Sequence, residues 1–355
     1  MEIKHIYWFS YFNLSEPSVR YRARYPLEQL RSRHGIGFSA VFPQRSLRGI
    51  CHFIVVFLAA LLFRKKDSLI VFQKIYTNGL YAKALKLLLL LSPDFTLYDI
   101  DDAEHTRRPA GTIHYFMKRS AACAVGSVAL ADYARQFNPN TFLLTSPVIG
   151  HGMIKKPGEV FTIGWIGYYG AHRESLVQLL FPALQRIDFP VRLTLLGVAT
   201  QAEQEEIKNH FRNKPNICFD MPLGIDWQNE ASVYGHICCF DIGVSPLLNT
   251  EFNRAKSAFK LKQCLSCGVP VLGSSVGENP RFLQDSFNGY LCDSPDAYYE
   301  KICQVSQLPE AAYRRLSENA RQSIASFSIE HYCNTLLAFY KYETAVEMIT
   351  ATVSQ

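Results

Sequence analysis

Asp241–Asn279, DIGVSPLLNTEFNRAKSAFKLKQCLSCGVPVLGSSVGEN, is the stretch whose reading decides the fold. An apolar run at Asp241–Ser245 leads into a polar loop over Leu248–Lys256 and a helical period from Ser257 to Cys267. A second apolar run at Val269–Gly273 and a glycine-bearing turn over Ser274–Asn279 complete it. Two short buried-type strands joined through a helix make one alternating α/β unit. Three cations, Arg254, Lys256 and Lys260, stand on or just before the predicted helix start. Free backbone N–H groups and the helix dipole already favour an anion there, so the pattern predicts a phosphate site. A diphosphate needs charge from more than one direction, and Arg254 offers a planar fork while the two lysines offer point charges. Ser257 is the predicted cap beside them, and Lys256 and Lys260 share one face if the helix includes both. The competing reading of any one of these lysines is a solvated loop entering an ordinary helix.

Outward from this unit, 355 residues are too many for one ordinary core and fit two domains. Hydrophobic residues at 48% and charged residues at 19% exclude a disordered chain. The ten cysteines are scattered through apolar segments. Cys264 and Cys267 form one CxxC inside a predicted helix with no second pair, so they read as reduced core thiols and the compartment as the cytoplasm. Met1–Ser10 has a charged start and only a short apolar run, which does not read as a signal peptide.

The net charge of +6 is unevenly placed, because residues 1–66 hold eleven Lys/Arg against three acids and the remainder is acidic. Within that basic part, Ile50–Phe63 (ICHFIVVFLAALLF) is an apolar run bracketed by Arg48 and by Arg64, Lys65 and Lys66. Spanning a bilayer takes roughly 20 apolar residues, so this run predicts either a core helix or one lying in a membrane interface. Nucleic acid is not the expected partner, since no basic-aromatic binding motif accompanies the charge.

Strand and helix patterns alternate along the first part: strands at Lys4–Ser10, Phe38–Phe42, Ser68–Gln73 and Phe95–Ile100, with helices between. That alternation predicts a parallel sheet covered on both faces, with ligands beyond the carboxyl ends of its strands. Asp99, Asp101 and Asp102 stand at such an end. They are either a DxD metal-ligating set or, for Asp101 and Asp102, a helix or turn cap paired with Arg107 or Arg108. Arg20, Arg22 and Arg24 alternate and so are expected to splay around their helix. Ser146–Glu159, rich in proline and glycine, is the predicted linker. Phe161–Ile166 then opens a second domain and leads into Gly167, Tyr168 and Gly170. The GxGxxG fingerprint is missing, which argues against a nicotinamide cofactor, yet Gly167 at a strand-to-helix turn still lets backbone approach a phosphate.

Several pieces resemble the retaining, nucleotide-sugar-dependent glycosyltransferases of family 4: SVRYRARYPLEQL, LYDIDDAEH, AVGSVALADYARQFNPNTFLLTSPV, FTIGWIGYYG, DIGVSPL and KLKQCLSCGVPVLGSSVGENPRFLQDSFNGYL. The ending FSIEHYCNTLLAFY is similar to that family's terminal helix. The resemblance implies a GT-B fold, with two Rossmann-like α/β domains facing a cleft. It places an acceptor-binding domain at 1–150, a nucleotide-sugar-binding domain at 157–327, and a helix from 328–355 returning to the first. It implies chemistry by Arg254, Lys260 and Asp102, and donor binding by Gly167, Tyr168, Lys256, Ser257, Gln263, Glu278 and Asn279. No cofactor is implied besides the nucleotide-sugar co-substrate, and no divalent metal, because the cations would balance the diphosphate. The acceptor is expected to be a glycan or lipid-linked glycan of surface polysaccharide synthesis, reached through peripheral contact with the inner membrane. Ala255 and Gln263 depart from the family pattern, which carries glutamates at both positions. Gln263 can still hydrogen-bond a ribose diol, whereas Ala255 leaves sugar contacts to Glu251, Asn253 or Glu278. The competing reading is therefore a binding module that keeps the fold without turnover.

Overall fold

The computed structural model describes residues 3–149 and 160–341, which form two units, each with its own sheet and core. The first gathers the described residues through Pro147, the four residues Arg254–Ser257, and those from Ile329 onward; the second holds the rest. Residues 150–159 of the predicted linker and 342–355 of the predicted terminal helix lie outside the described residues.

In the first unit β1 (His5–Ser10), β2 (Gly37–Val41), β3 (Ser68–Gln73), β4 (Thr96–Ile100), β5 (Ala122–Val125) and β6 (Thr141–Leu143) pair in parallel, in the order β2-β1-β3-β4-β5-β6. Strands β3, β4 and β5 are buried along their whole length, as strands covered on both faces must be. Chain order reverses direction at β1, between β2 and β3, so the crevice of this sheet opens beyond Ser10 and Gln73. The helix Ile329–Lys341 belongs to this unit. Its Tyr332 hydroxyl donates to the Arg22 carbonyl at 3.0 Å, and Phe339 stacks on Phe142 with centroids 4.7 Å apart.

The second unit carries β7 (Phe161–Ile166), β8 (Val191–Leu196), β9 (Ile217–Asp220), β10 (Ile242–Ser245), β11 (Val271–Gly273) and β12 (Gly289–Leu291), again all parallel. Read from β9 the order is β9-β8-β7-β10-β11-β12, the doubly wound order of nucleotide-binding sheets, with its switch point between β7 and β10. Leucines and isoleucines of β7 and β8 meet Leu176, Leu180 and Leu184 in the largest apolar cluster of this unit.

Arg20–Arg24 is a π-helical turn between α-helical pieces, with Arg20 and Arg22 buried; its arginines splay to separate partners, Arg20 to the Leu14 carbonyl, Arg22 to Asp99 and Arg24 to Glu28. Two local expectations change. The helix expected from Ser257 begins at Phe259. Its capping residue is Ala258, in the left-handed region at φ 52°, with no side-chain cap bond, so the cap assigned to Ser257 is not made. Lys256 consequently lies outside the helix that carries Lys260. The Leu47–Leu62 helix buries only Val56 and Ala60 and is not a core helix.

Candidate functional site

In the second unit two glycines shape the ends of β7 and β8, and the β7 end borders the switch point. The Gly167 N–H, just past β7, donates to the Leu196 carbonyl at 2.8 Å. Gly197, past β8, has φ +113°, and a Cβ on it would stand 1.5 Å from the Gly167 carbonyl oxygen. Only two glycines let these strand ends approach so closely. A Cβ on Gly167 would in turn meet Lys260 Nζ at 2.4 Å and the Trp165 ring at 2.5 Å. The space left by the missing side chain is where the Lys260 ammonium sits, 5.3 Å above the Trp165 ring.

Lys260 is the second residue of the helix Phe259–Ser266, whose first N–H groups have no side-chain cap. The Lys260 charge and a helix N-terminus thus converge at the carboxyl edge of the sheet, the combination that holds an anion. Gln263, three residues on and on the same face, is nearly buried. Tyr168 is exposed and borders Gly167. Glu278 is buried and pairs with Arg281 at 3.2 Å. Asn279 is fully buried, and its amide nitrogen donates to the carbonyls of Ser274 at 3.0 Å and Ser245 at 3.3 Å, tying the ends of β10 and β11 together. Its Oδ1 is buried with no hydrogen-bond partner. Asn253 donates to the Leu248 carbonyl, and Glu251 is exposed.

The first unit holds a compact set of charges beyond β3 and β4. Arg22 forks onto Asp99 through Nε at 3.0 Å and through Nη2, with both side chains wholly buried. Lys74, directly after β3 at φ 54°, places Nζ 2.8 Å from Asp102 and 2.9 Å from Asp101, the latter without the alignment of a hydrogen bond. Lys256 donates to the other Asp102 oxygen at 2.9 Å. Burial alone would push the Asp102 carboxyl up, but the Lys256 and Lys74 ammoniums outweigh it and hold the group well below the usual carboxylate range. Burial likewise opposes the Lys74 charge, and Asp101 and Asp102 reverse that, keeping the ammonium protonated far above its ordinary value. Three carboxylates therefore face one guanidinium and two ammoniums, a balanced set. His105 stacks on Tyr133 with centroids 3.6 Å apart.

The predicted site residues thus fall into two groups. Gly167, Tyr168, Lys260, Gln263, Glu278 and Asn279 lie in the second unit, around the ends of β7, β10 and β11 and along the Phe259 helix. Asp102 and Lys256 meet in the first unit, to which exposed Arg254 and buried Ser257 also belong. Lys74 was missed by reading the sequence. A lysine immediately after the apolar run SLIVFQ, at a strand's carboxyl end, was the available signal. Trp165 was missed because an aromatic in a buried strand reads as core.

Residues 160–307 match the family described as glycosyl transferases group 1. None of the curated proteins matches the chain in sequence. Among solved structures, a sucrose-phosphate synthase from Thermosynechococcus elongatus is similar at 15% identity and TM-score 0.70, over 95% of this chain and 98% of that one. HepE from Anabaena in complex with UDP gives 14% identity and TM-score 0.63, over 96% and 100%. The lipopolysaccharide outer core galactosyltransferase WaaB gives 12% and 0.64, over 95% and 100%. At these identities the likeness concerns the fold, which is GT-B over nearly the whole chain.

Proposed function

We propose that this chain is a glycosyltransferase of group 1, the family that its residues 160–307 match, and that it moves a sugar from a uridine diphosphate donor to a glycan or lipid-linked glycan with retention of configuration. The observation that carries the donor side is the Lys260 ammonium seated in the gap left by Gly167, at the switch point of a doubly wound sheet. The uridine nucleotide is suggested by the solved HepE structures, which hold UDP or UDP-glucose. Lys260, at the N-terminus of the Phe259 helix, receives the diphosphate. As the glycosidic bond to the diphosphate breaks, charge builds on the leaving oxygen, and the lysine stabilises it without needing a divalent metal. Gln263 bonds the ribose diol, and Tyr168 borders the nucleotide.

Asp102, held anionic by Lys74 and Lys256, serves as a hydrogen-bond acceptor for an incoming hydroxyl. A carboxylate with so low a pKa is a weak general base. The setting we propose is surface polysaccharide synthesis on the cytoplasmic side, in keeping with the likeness to WaaB.

The test begins with thermal shifts against uridine, guanosine, thymidine and cytidine nucleotide sugars, for the protein and for Lys260→Ala. A uridine donor should raise Tm in the parent and not in the variant. With an acceptor present, Lys260→Ala should lose roughly 10²–10³ in kcat, chelator should leave turnover unchanged, and the product anomer should match the donor's. A donor that binds but is never consumed, by any acceptor, would turn the reading to a binding module, which the Ala255 and Gln263 departures favour. Stabilisation by another nucleotide class would overturn the uridine assignment.

A further inference from the structure

Among the described residues, eleven of the fifteen exposed large hydrophobic side chains lie on the helices Leu47–Leu62 and Leu80–Leu91 of the first unit or at Phe63 just beyond. The two helices are neighbours, with the Phe53 and Tyr81 rings 5.0 Å apart. On the first, Leu47, Ile54, Leu58 and Leu62 recur at intervals of four and seven and therefore share one face, opposite buried Val56 and Ala60. On the second, Leu80, Leu87 and Leu91 do the same. Leu47 is 78% exposed, Leu62 65% and Leu80 85%, so these are outward-facing side chains and not a core margin. A contiguous apolar face of this kind marks an interaction surface.

Charge decides what covers it. Neither helix contains an acid. Exposed cations ring the face: Arg45 and Arg48 at the start of the first helix, Lys65 and Lys66 past its end, and Lys83 among the exposed leucines of the second. A second copy of the chain seated on the same face would set these cations against one another. An anionic lipid surface takes both features, the apolar side chains entering the acyl boundary and the cations meeting headgroups. The first helix is about 24 Å long, and no helix among the described residues is long and apolar enough to cross a membrane. A helix with this pattern lies in the interface plane.

We propose that the outer face of the Leu47–Leu62 and Leu80–Leu91 helices docks the protein on an anionic membrane surface. The proposal goes beyond the transfer reaction and does not rest on it, because docking is read with no donor present. The full-length protein is sedimented with phosphatidylcholine vesicles, plain or mixed with phosphatidylglycerol, beside the variants Ile54→Asn/Leu58→Asn and Lys65→Ala/Lys66→Ala. Co-sedimentation with the mixed vesicles is expected, weakened about fivefold for each cation removed and on the order of tenfold or more by the apolar pair. High salt should weaken it further. All four positions are exposed, so both variants should melt with the parent, which separates docking from folding. Protein that stays in the supernatant with mixed vesicles overturns the proposal, as do variants that bind like the parent. A dimer that dissociates on the Ile54→Asn/Leu58→Asn change, without vesicle binding, overturns it in favour of a second copy.

Discussion

Gly167 shows how one missing side chain can place a charge. A methyl group there collides with Lys260 Nζ and the Trp165 ring together, and the lysine, being the flexible partner, is the one that moves. Gly167→Ala is expected to raise the donor KM about tenfold, a cost of roughly 1.4 kcal/mol, with a smaller change in kcat. Donor saturation kinetics would show it, and an unchanged KM would mean that Lys260 does not meet the donor. Asp102 gives a pH prediction of definite sign. Its folded pKa lies below its unfolded value of about 3.9. Its contribution to stability is therefore full above that value and is lost as pH falls through the folded one. Acid unfolding followed by circular dichroism should begin below about pH 4, and Asp102→Asn should flatten that limb of the curve.

At the scale of elements, the helix Ile329–Lys341 completes the first unit's core. Leu336 is wholly buried in the cluster that contains Trp8, Leu27 and Leu30. Leu336→Ala should cost about 2–5 kcal/mol, read as a fall in the urea midpoint. A surface helix would show almost none. The π-turn at Arg20–Arg24 does similar organising work: Arg20 donates to the carbonyls of Leu14 and Ser15, both at 2.8 Å, while Arg22 reaches Asp99. Residues two apart on such a turn point to different sides, and each arginine is bonded to partners of its own.

At the scale of the whole molecule, two separate cores predict two melting steps in calorimetry. UDP should raise the step of the second unit, which holds Gly167 and Lys260, by roughly 2.7 kcal/mol at a hundredfold excess over Kd. A shift of the first step alone would place nucleotide binding elsewhere.

The alternating apolar runs determined the parallel α/β character and both sheets, because strands buried on two faces leave a nearly continuous hydrophobic record. They also determined Gly167 and Lys260 as candidates, since a glycine after a strand and a cation at a helix start are local patterns. Which carboxylate meets which cation was decided only in three dimensions: Arg22 and Asp99 lie 77 residues apart in the chain, Asp102 and Lys256 154. The fate of the Ile50–Phe63 run was decided there too. Its composition suits a core or a membrane equally, and only the neighbours that a helix acquires on folding determine which of its faces is left in water.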